Sequence, residues 1–183
     1  VSDPQGAGQP STIWTIGHST RTLDAFVDLL CAHAIVELVD VRTVPRSARH
    51  PHFAREALAS ALPSAGIRYH HLAGLGGLRK ARRDSTNVGW ANASFRGYAD
   101  HMQTAAFDSA LDDLIGIARA PAAIMCAEAV WWRCHRQLIA DALVARGWEV
   151  RHIVSAGAPA APHRLTGFAR VDAGRVTYPG LFD

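Results

Sequence analysis

Five short apolar runs, each separated from the next by a stretch of helical periodicity, constrain this chain more than any other feature. They are Thr12 to Ile16, Ile35 to Val41, Ile67 to Leu72, Ala122 to Cys126 and Glu149 to Val154. The second is nearly all apolar, as a strand covered on both faces must be. Between the first two, Leu23, Phe26, Val27 and Leu30 recur at helical spacing behind Thr22, a residue type suited to a helix N-cap. Phe53 to Leu62 reads as a second helix, closed by Pro63 and Gly66. Phe95 to Arg119 reads as a long helical region with a break expected near Gly116. Trp131 to Arg146 reads as a helix stopped by Gly147. Gly74 to Ala93 is a loop rich in Gly, Arg and Asn, long enough to suggest function or mobility. Strands alternating with helices predict a mostly parallel sheet joined by right-handed crossovers. The expected fold is therefore α/β: a single Rossmann-like domain over residues 12–154, with a mostly parallel sheet of about five strands. After Ser155 the texture changes. Ala156 to Pro162 is a Gly/Ala/Pro linker, and Phe168 to Val171 and Arg175 to Tyr178 flank a turn at Asp172-Ala173-Gly174. Residues 155–183 are thus expected to form a linker and an accessory C-terminal hairpin.

The 183 residues suit one domain, and 49% hydrophobic against 19% charged residues is a globular balance. No apolar run reaches the roughly 20 residues that a membrane helix needs. Val1 to Gln9 is small and polar, and nothing there reads as a signal peptide. The expectation is a cytoplasmic protein with no membrane partner. Three cysteines is an odd count, and cytosolic thiols are normally reduced, so no disulfide framework is expected. A formal net charge of +3 permits an anionic ligand or nucleic acid and requires neither. Arginine displaces lysine, which occurs only at Lys80. Arginine suits bidentate contact with phosphate or carboxylate, and it is equally what a GC-rich genome encodes by default.

In open parallel sheets, ligands bind beyond the carboxyl ends of the strands. Here the first strand ends at Gly17-His18-Ser19, the second at Asp40-Val41-Arg42, the third near His70-His71 and the fourth at Cys126-Ala127-Glu128. One rim thus receives imidazole, carboxylate, guanidinium and thiol. Cys126 precedes a helix, whose N–H groups favour a thiolate; the alternative is a buried cysteine that only fills space. The catalytic candidates are Cys126, Glu128 and His18. Glu128 either caps N–H groups, pairs with an arginine, or acts as an acid or base. Cys31, four residues after Val27 on the first helix, is expected to be buried and inert. Asp40 and Arg42 share a face of their strand, either as an ion pair or with Arg42 capturing an anion.

The ligand-binding candidates are Ser19, Arg42, Arg46, Ser47, His71, Gly76, Gly77, Cys134, His135 and Arg136. Arg46 to Phe53 reads as an anion clamp or a solvated loop. Leu75-Gly76-Gly77 is glycine-rich without the ending of a P-loop. Adjacent helical residues point about 100° apart, so Cys134, His135 and Arg136 are not expected all to face one ligand. Cys126, Cys134, His135 and His18 are soft ligands, but Cys-x7-Cys-His is not a usual zinc spacing and no second close pair exists. No metal is expected, and the sequence identifies no cofactor. Trp131 and Trp132 are either core filler or a stacking surface for a planar ligand.

Several of these residues carry a family resemblance. Thr15-Ile16-Gly17-His18-Ser19, then Val39-Asp40-Val41-Arg42 with Pro45, Arg46, Ser47 and Phe53, resemble the bacterial domain of unknown function 488 family. So do Tyr69 to His71 with Leu75-Gly76-Gly77, the stretch containing Phe95, Tyr98, Ala99 and Met102, and Cys126-Ala127-Glu128 with Cys134-His135-Arg136. The resemblance runs from about Thr12 to Val154. It implies the fold and the site, and no reaction. The family often has a proline between the glutamate and the Cys-His-Arg run; Trp131 stands there in this chain. A looser similarity is to rhodanese-like sulfurtransferases, which share a strand ending Asp-x-Arg and a later catalytic cysteine. Their cysteine loop bears glycine, whereas Ala127, Glu128, Ala129 and Val130 follow Cys126 here.

Three functions compete. One is an enzyme with a thiolate-centred site of Cys126, Glu128, His18 and Arg42, acting on a small anionic or nucleotide-like substrate. The second is a nucleic-acid or nucleotide-binding module without chemistry. The third is a partner-binding domain.

Overall fold

The chain is described by a computed structural model that covers residues 11–46 and 48–180. Strand β1 (Thr12–Gly17) leads to helix α1 (Leu23–Ala32), which Thr22 caps by accepting from the Ala25 N–H at 3.2 Å. Then come β2 (Glu37–Asp40), α2 (Arg55–Ala61), β3 (Arg68–His71), α3 (Ala93–His101), α4 (Ala105–Ile117) and β4 (Ala122–Cys126). Helix α5 (Arg136–Ala145), β5 (Glu149–Ile153), β6 (Ala161–Pro162) and the pair β7 (Arg170–Asp172) and β8 (Arg175–Thr177) complete the order. The main sheet runs β3-β2-β4-β1-β5-β6, parallel throughout except for the β5–β6 pair. Alternating strand residues feed two cores. Leu38, Ala123 and Met125 pack under α1 and α2, while Val39, Ala122 and Ile124 pack under α3, α4 and α5. No helix among the described residues is long and apolar enough to cross a membrane.

The α/β architecture with its parallel sheet and C-terminal hairpin agrees with the sequence pattern, and three details differ. The long helical region breaks at Met102–Thr104 and not near Gly116, because the Thr104 hydroxyl accepts from the Phe107 N–H and starts a new helix. The fifth helix begins at Arg136, after a single 3-10 turn over Trp131–Arg133. The linker contributes β6, a sixth strand, against β5. The hairpin is also more than an accessory: Val176 and Tyr178 are buried in the core under α3 to α5. The Gly74 to Ala93 loop is tied down by Asp100, which accepts from the Ser85 hydroxyl, the Asn87 amide and the Arg82 N–H.

The hairpin is joined to the sheet by a buried polar chain with one consistent direction. The Thr15 hydroxyl lies 2.7 Å from His152 Nδ1, His152 Nε2 lies 3.0 Å from His163 Nδ1, and His163 Nε2 lies 2.9 Å from Asp141 Oδ1. Asp141 also accepts from the Tyr178 hydroxyl and the Thr166 N–H. A carboxylate only accepts, so His163 donates from Nε2 and accepts at Nδ1. His152 must then donate from Nε2 and accept from Thr15. Trp131 stacks on the His152 ring at 4.0 Å with an interplanar angle of 6°. Burial pulls the His152 imidazole from 6.5 down to about 3, with the charges of His163 and Arg136 adding to it.

Two outcomes follow for stability. Asp141→Asn should cost about 1–3 kcal/mol, because one of its two accepting oxygens becomes an NH2 group that meets a buried donor. By contrast, Asp112→Asn at the exposed end of the Arg146 pair should cost less than about 1 kcal/mol. The unfolded chain takes up a proton at His152 that the folded chain refuses. Stability is therefore full above the ordinary histidine pKa and falls as pH drops from about 6.5 towards 3. Denaturant titrations across that range should show this loss, and His152→Asn should make it shallower.

Candidate functional site

Strands β1 and β4 are neighbours, but the chain leaves β1 towards α1 and β4 towards α5, which lie on opposite faces of the sheet. Diverging loops at adjacent carboxyl ends open a crevice, and here it is a cleft of about 910 Å³. The strand ladder extends past both ends: His18 N–H donates to the Cys126 carbonyl at 3.0 Å and Ser19 N–H to the Ala127 carbonyl at 2.9 Å. Ser19 completes the turn at φ 53°, in the left-handed region that ordinary residues avoid. Gly17 is obligatory beneath this crossing. A Cβ there would lie 1.8 Å from the Glu128 carbonyl oxygen, which accepts from Arg136 Nη2 at 2.5 Å.

On the α1 side, Arg42 is held from four directions. Its Nε and Nη2 donate to the two oxygens of Asp40 at 2.8 and 2.5 Å, and Nη2 also donates to the Phe53 carbonyl at 2.7 Å. Nη1 lies 3.3 Å from His18 Nε2. His18 Nδ1 lies 2.9 Å from the Ser19 carbonyl, to which it donates, so Nε2 accepts from Arg42. The His18 ring also stacks on Phe53 at 4.2 Å. Burial pulls this imidazole down to about 4, and the Arg42 charge adds to the effect. His18 is thus neutral at physiological pH, with one ring nitrogen donating to the Ser19 carbonyl and the other accepting from Arg42. One N–H on Arg42 Nη1 remains without a partner among the described residues.

On the α5 side, the sulfurs of Cys126 and Cys134 and Nδ1 of His135 lie within 4.8 Å of one another. As the sequence led one to expect, Cys134, His135 and Arg136 do not all face the cleft: Arg136 packs inward, while Cys134 and His135 converge because the helix starts later. Cys134 is extended at φ −132°, ψ 150°, and its sulfur meets the next residue's Nδ1 at 3.6 Å. His135 Nε2 donates to the Val41 carbonyl at 3.2 Å. The two sulfurs lie within 4.8 Å of each other, and their interaction favours the thiolate on Cys134 over one on Cys126. That interaction with Cys126 pulls the Cys134 thiol well below its usual range, helped by His135 and Arg136. The same interaction, then burial, pushes Cys126 up. The balance thus favours Cys134 over Cys126, the thiol that the sequence put forward as the thiolate. Arg136 is 1% exposed, its Nε has no hydrogen-bond partner, and no carboxylate pairs with it among the described residues.

The structure brings His18, Ser19, Arg42 and Arg46 to the cleft wall, with Gly77, Cys126, Glu128, Cys134 and His135. Arg136 stands behind that wall. His71 Nε2 bonds the Arg42 carbonyl at 2.9 Å, and Gly76 packs on Thr43; neither lines the cleft. Ser47 lies outside the described residues. Glu128 is exposed, so its free carboxylate faces solvent and not a buried partner. Cys31 is exposed as well, against expectation, because the buried stripe of α1 is Phe26, Leu29 and Leu30. Arg49, within the stretch read as an anion clamp or solvated loop, and Arg133 also line the cleft, and both are exposed. Trp131 is committed to His152, and Trp132 is exposed outside the cleft.

The family model for the domain of unknown function DUF488 matches residues 22–143, and the chain belongs to that family. No curated protein and no solved structure matches the chain.

The crossing at Gly17 can be tested by a pair of substitutions. Gly17→Ala should cost on the order of 3 kcal/mol or more, since it drives a Cβ into backbone that the fold holds in place. Gly116→Ala, in the exposed face of α4 with nothing within 4 Å of the new Cβ, should gain about 0.5–1 kcal/mol. Thermal unfolding of both variants checks the contrast.

Proposed function

We propose that this member of the family is a thiol-dependent enzyme acting on a small anionic, nucleotide-like substrate, with Cys134 and His135 as the reacting pair. The observation that carries the reading is the close pair of thiols beside His135, backed by a buried arginine that pairs with no carboxylate among the described residues, in the wall of an arginine-lined cleft. Arg42, Arg46, Arg49 and Arg133 line that cleft against a single described acid, Glu128. Arg46, Arg49 and Arg133 are exposed and enter no ion pair among the described residues. Such a field draws anions towards the thiols.

In the chemical step, a sulfur lone pair of Cys134 forms a bond to an electrophilic centre of the substrate. The bond to the leaving group breaks, and the leaving group departs with its electron pair and takes the proton from His135 Nδ1. Water then attacks the thioester-like linkage, His135 takes its proton, and the sulfur leaves as thiolate. Cys126 holds the thiolate before attack, Arg42 binds the anionic group with its remaining N–H, and His18 positions Arg42. The cytoplasm, which keeps thiols reduced, suits this pair. A binding module for nucleotides or nucleic acid is the other reading that the exposed arginines favour. It would leave anion affinity unchanged in Cys134→Ser.

Charge-selective alkylation in a chelating buffer tests the proposal, with Cys31 as the internal reference. The ratio of iodoacetate to iodoacetamide rates, read by mass spectrometry, should be ~10-fold higher at Cys134 than at Cys31 at low salt. It should fall with added salt and in the triple variant Arg46→Ala, Arg49→Ala, Arg133→Ala. Cys126→Ala should slow Cys134. A Cys134 that shows neither anion preference nor dependence on Cys126 would sink the enzyme reading.

A further inference from the structure

We propose that Cys126, Cys134 and His135 form a three-ligand zinc site whose fourth position opens into the cleft. The inference goes beyond the thiol-enzyme reading, because a zinc-bound sulfur has its lone pair engaged and does not attack. The loaded molecule instead presents a Lewis-acidic position to the same anionic ligands.

The geometry points this way on four counts. First, the three ligand atoms lie within 4.8 Å of one another, and the Cys134 Sγ to His135 Nδ1 separation is 3.6 Å. Tetrahedral zinc, with Zn–S about 2.3 Å and Zn–N about 2.0 Å, places its ligand atoms about 3.5–3.8 Å apart. Small side-chain shifts therefore complete the site, without backbone movement. Second, His135 Nε2 donates to the Val41 carbonyl at 3.2 Å. That bond fixes the ring and leaves Nδ1 as the liganding nitrogen, the arrangement metal-bound histidines adopt. Third, the space at Nδ1 is kept open by Gly77: a Cβ there would lie 2.5 Å from this nitrogen. Fourth, all three residues line the cleft, so a ligand can reach the metal from the solvent side.

The charge balance is equally specific. Two thiolates and a zinc ion sum to zero, and the protons they displace pass to solvent. The zinc takes the place of the proton held between the Cys134 sulfur and His135 Nδ1. The buried positive charge of Arg136 then stays unmatched by the metal complex, which favours an anionic oxygen, phosphate or carboxylate, as the fourth ligand. The sequence argued against such a site because Cys-x7-Cys-His is not a usual zinc spacing and no second close pair exists; the extended backbone at Cys134 brings its sulfur to His135 Nδ1 and so supplies the missing convergence.

The test uses the full chain, reduced and stripped of metal, titrated with zinc chloride against a chromophoric chelator, and separately with cobalt. One zinc per chain is expected, and cobalt should give a thiolate charge-transfer band with the intensity of two thiolates and tetrahedral visible bands. Zinc affinity should fall by at least about 100-fold in Cys126→Ser and Cys134→Ser and about 10–100-fold in His135→Ala. Cys31→Ser should change nothing. Gly77→Ala should weaken binding, with its thermal unfolding showing that the chain still folds. The proposal is overturned if the natively folded chain binds no stoichiometric zinc, if cobalt shows no thiolate band, or if binding survives loss of either Cys126 or Cys134. Since the alkylation experiment runs in a chelator, it stands or falls independently of this one.

Discussion

The rim of this sheet depends on one close crossing, in which the Glu128 carbonyl passes over Gly17 and is held there by the Arg136 guanidinium. The crossing joins the end of β1, the loop after β4 and the first turn of α5. Through it, Cys126 at the end of β4 and Cys134 just before α5 reach the same wall of the cleft. A charged hydrogen bond to a carbonyl contributes about 1.5–3 kcal/mol, while burying an unpaired guanidinium costs several kcal/mol. The carbonyl alone therefore does not account for Arg136. Its positive charge acts on both thiols, and negative charge at the sulfur pair closes the balance. On the thiol reading a Cys134 thiolate supplies that negative charge; on the zinc reading the two thiolates are neutralised by the metal and an anionic fourth ligand supplies it.

Two polar clusters flank β1, and how completely each is satisfied separates structure from function. On the α5 side, Thr15, His152, His163, Asp141 and Tyr178 form a chain in which each group has its partner and the direction of donation is determined. Such a closed network fixes packing and offers nothing to a ligand. It explains why residues that look catalytic by type, a carboxylate and two histidines, are architectural here. On the α1 side, Asp40, which also accepts from the Tyr69 hydroxyl, together with His18 and the Phe53 carbonyl consumes all but one of the Arg42 donors. Arg42 is also one of the residues that line the cleft. The sequence alternatives for Arg42, ion pair or anion capture, are thus not exclusive: the ion pair pre-organises the guanidinium that would do the capturing.

Local patterning made the sheet and its rim legible, and contacts far apart in sequence were not. The β-rich runs ending at Gly17, Asp40 and Cys126 marked the strand ends because parallel strands buried on both faces have few other residues to use. The Thr104 break was written in the sequence as a capping residue type, and was missed because Gly116 is the stronger disruptor in the abstract. Cys31 was misread because Val27 sits at the margin of the α1 stripe, so one further turn carries the thiol into solvent. Nothing local announces the chain from Thr15 to His152 to Asp141: its members come from β1, β5, α5 and the tail, and each looks ordinary among its neighbours. The convergence of Cys134 with His135 was hidden by a boundary error of five residues at the start of α5, from Trp131 to Arg136.

That boundary decides the chemistry. Had α5 begun at Trp131, the two side chains would diverge by a helical step and Cys134 would pack alone. The 3-10 turn at Trp131–Arg133 delays the helix, and stacking of Trp131 on His152 holds that turn against the closed polar network. The network on one side of the sheet thus sets the entry of α5, and the entry sets the distance between sulfur and imidazole. A proton between those two atoms makes a nucleophilic pair, and a soft metal in the same place makes an electrophilic centre. Both proposals use the same geometry, so the occupant of that single position, and not any rearrangement of the fold, is what separates them.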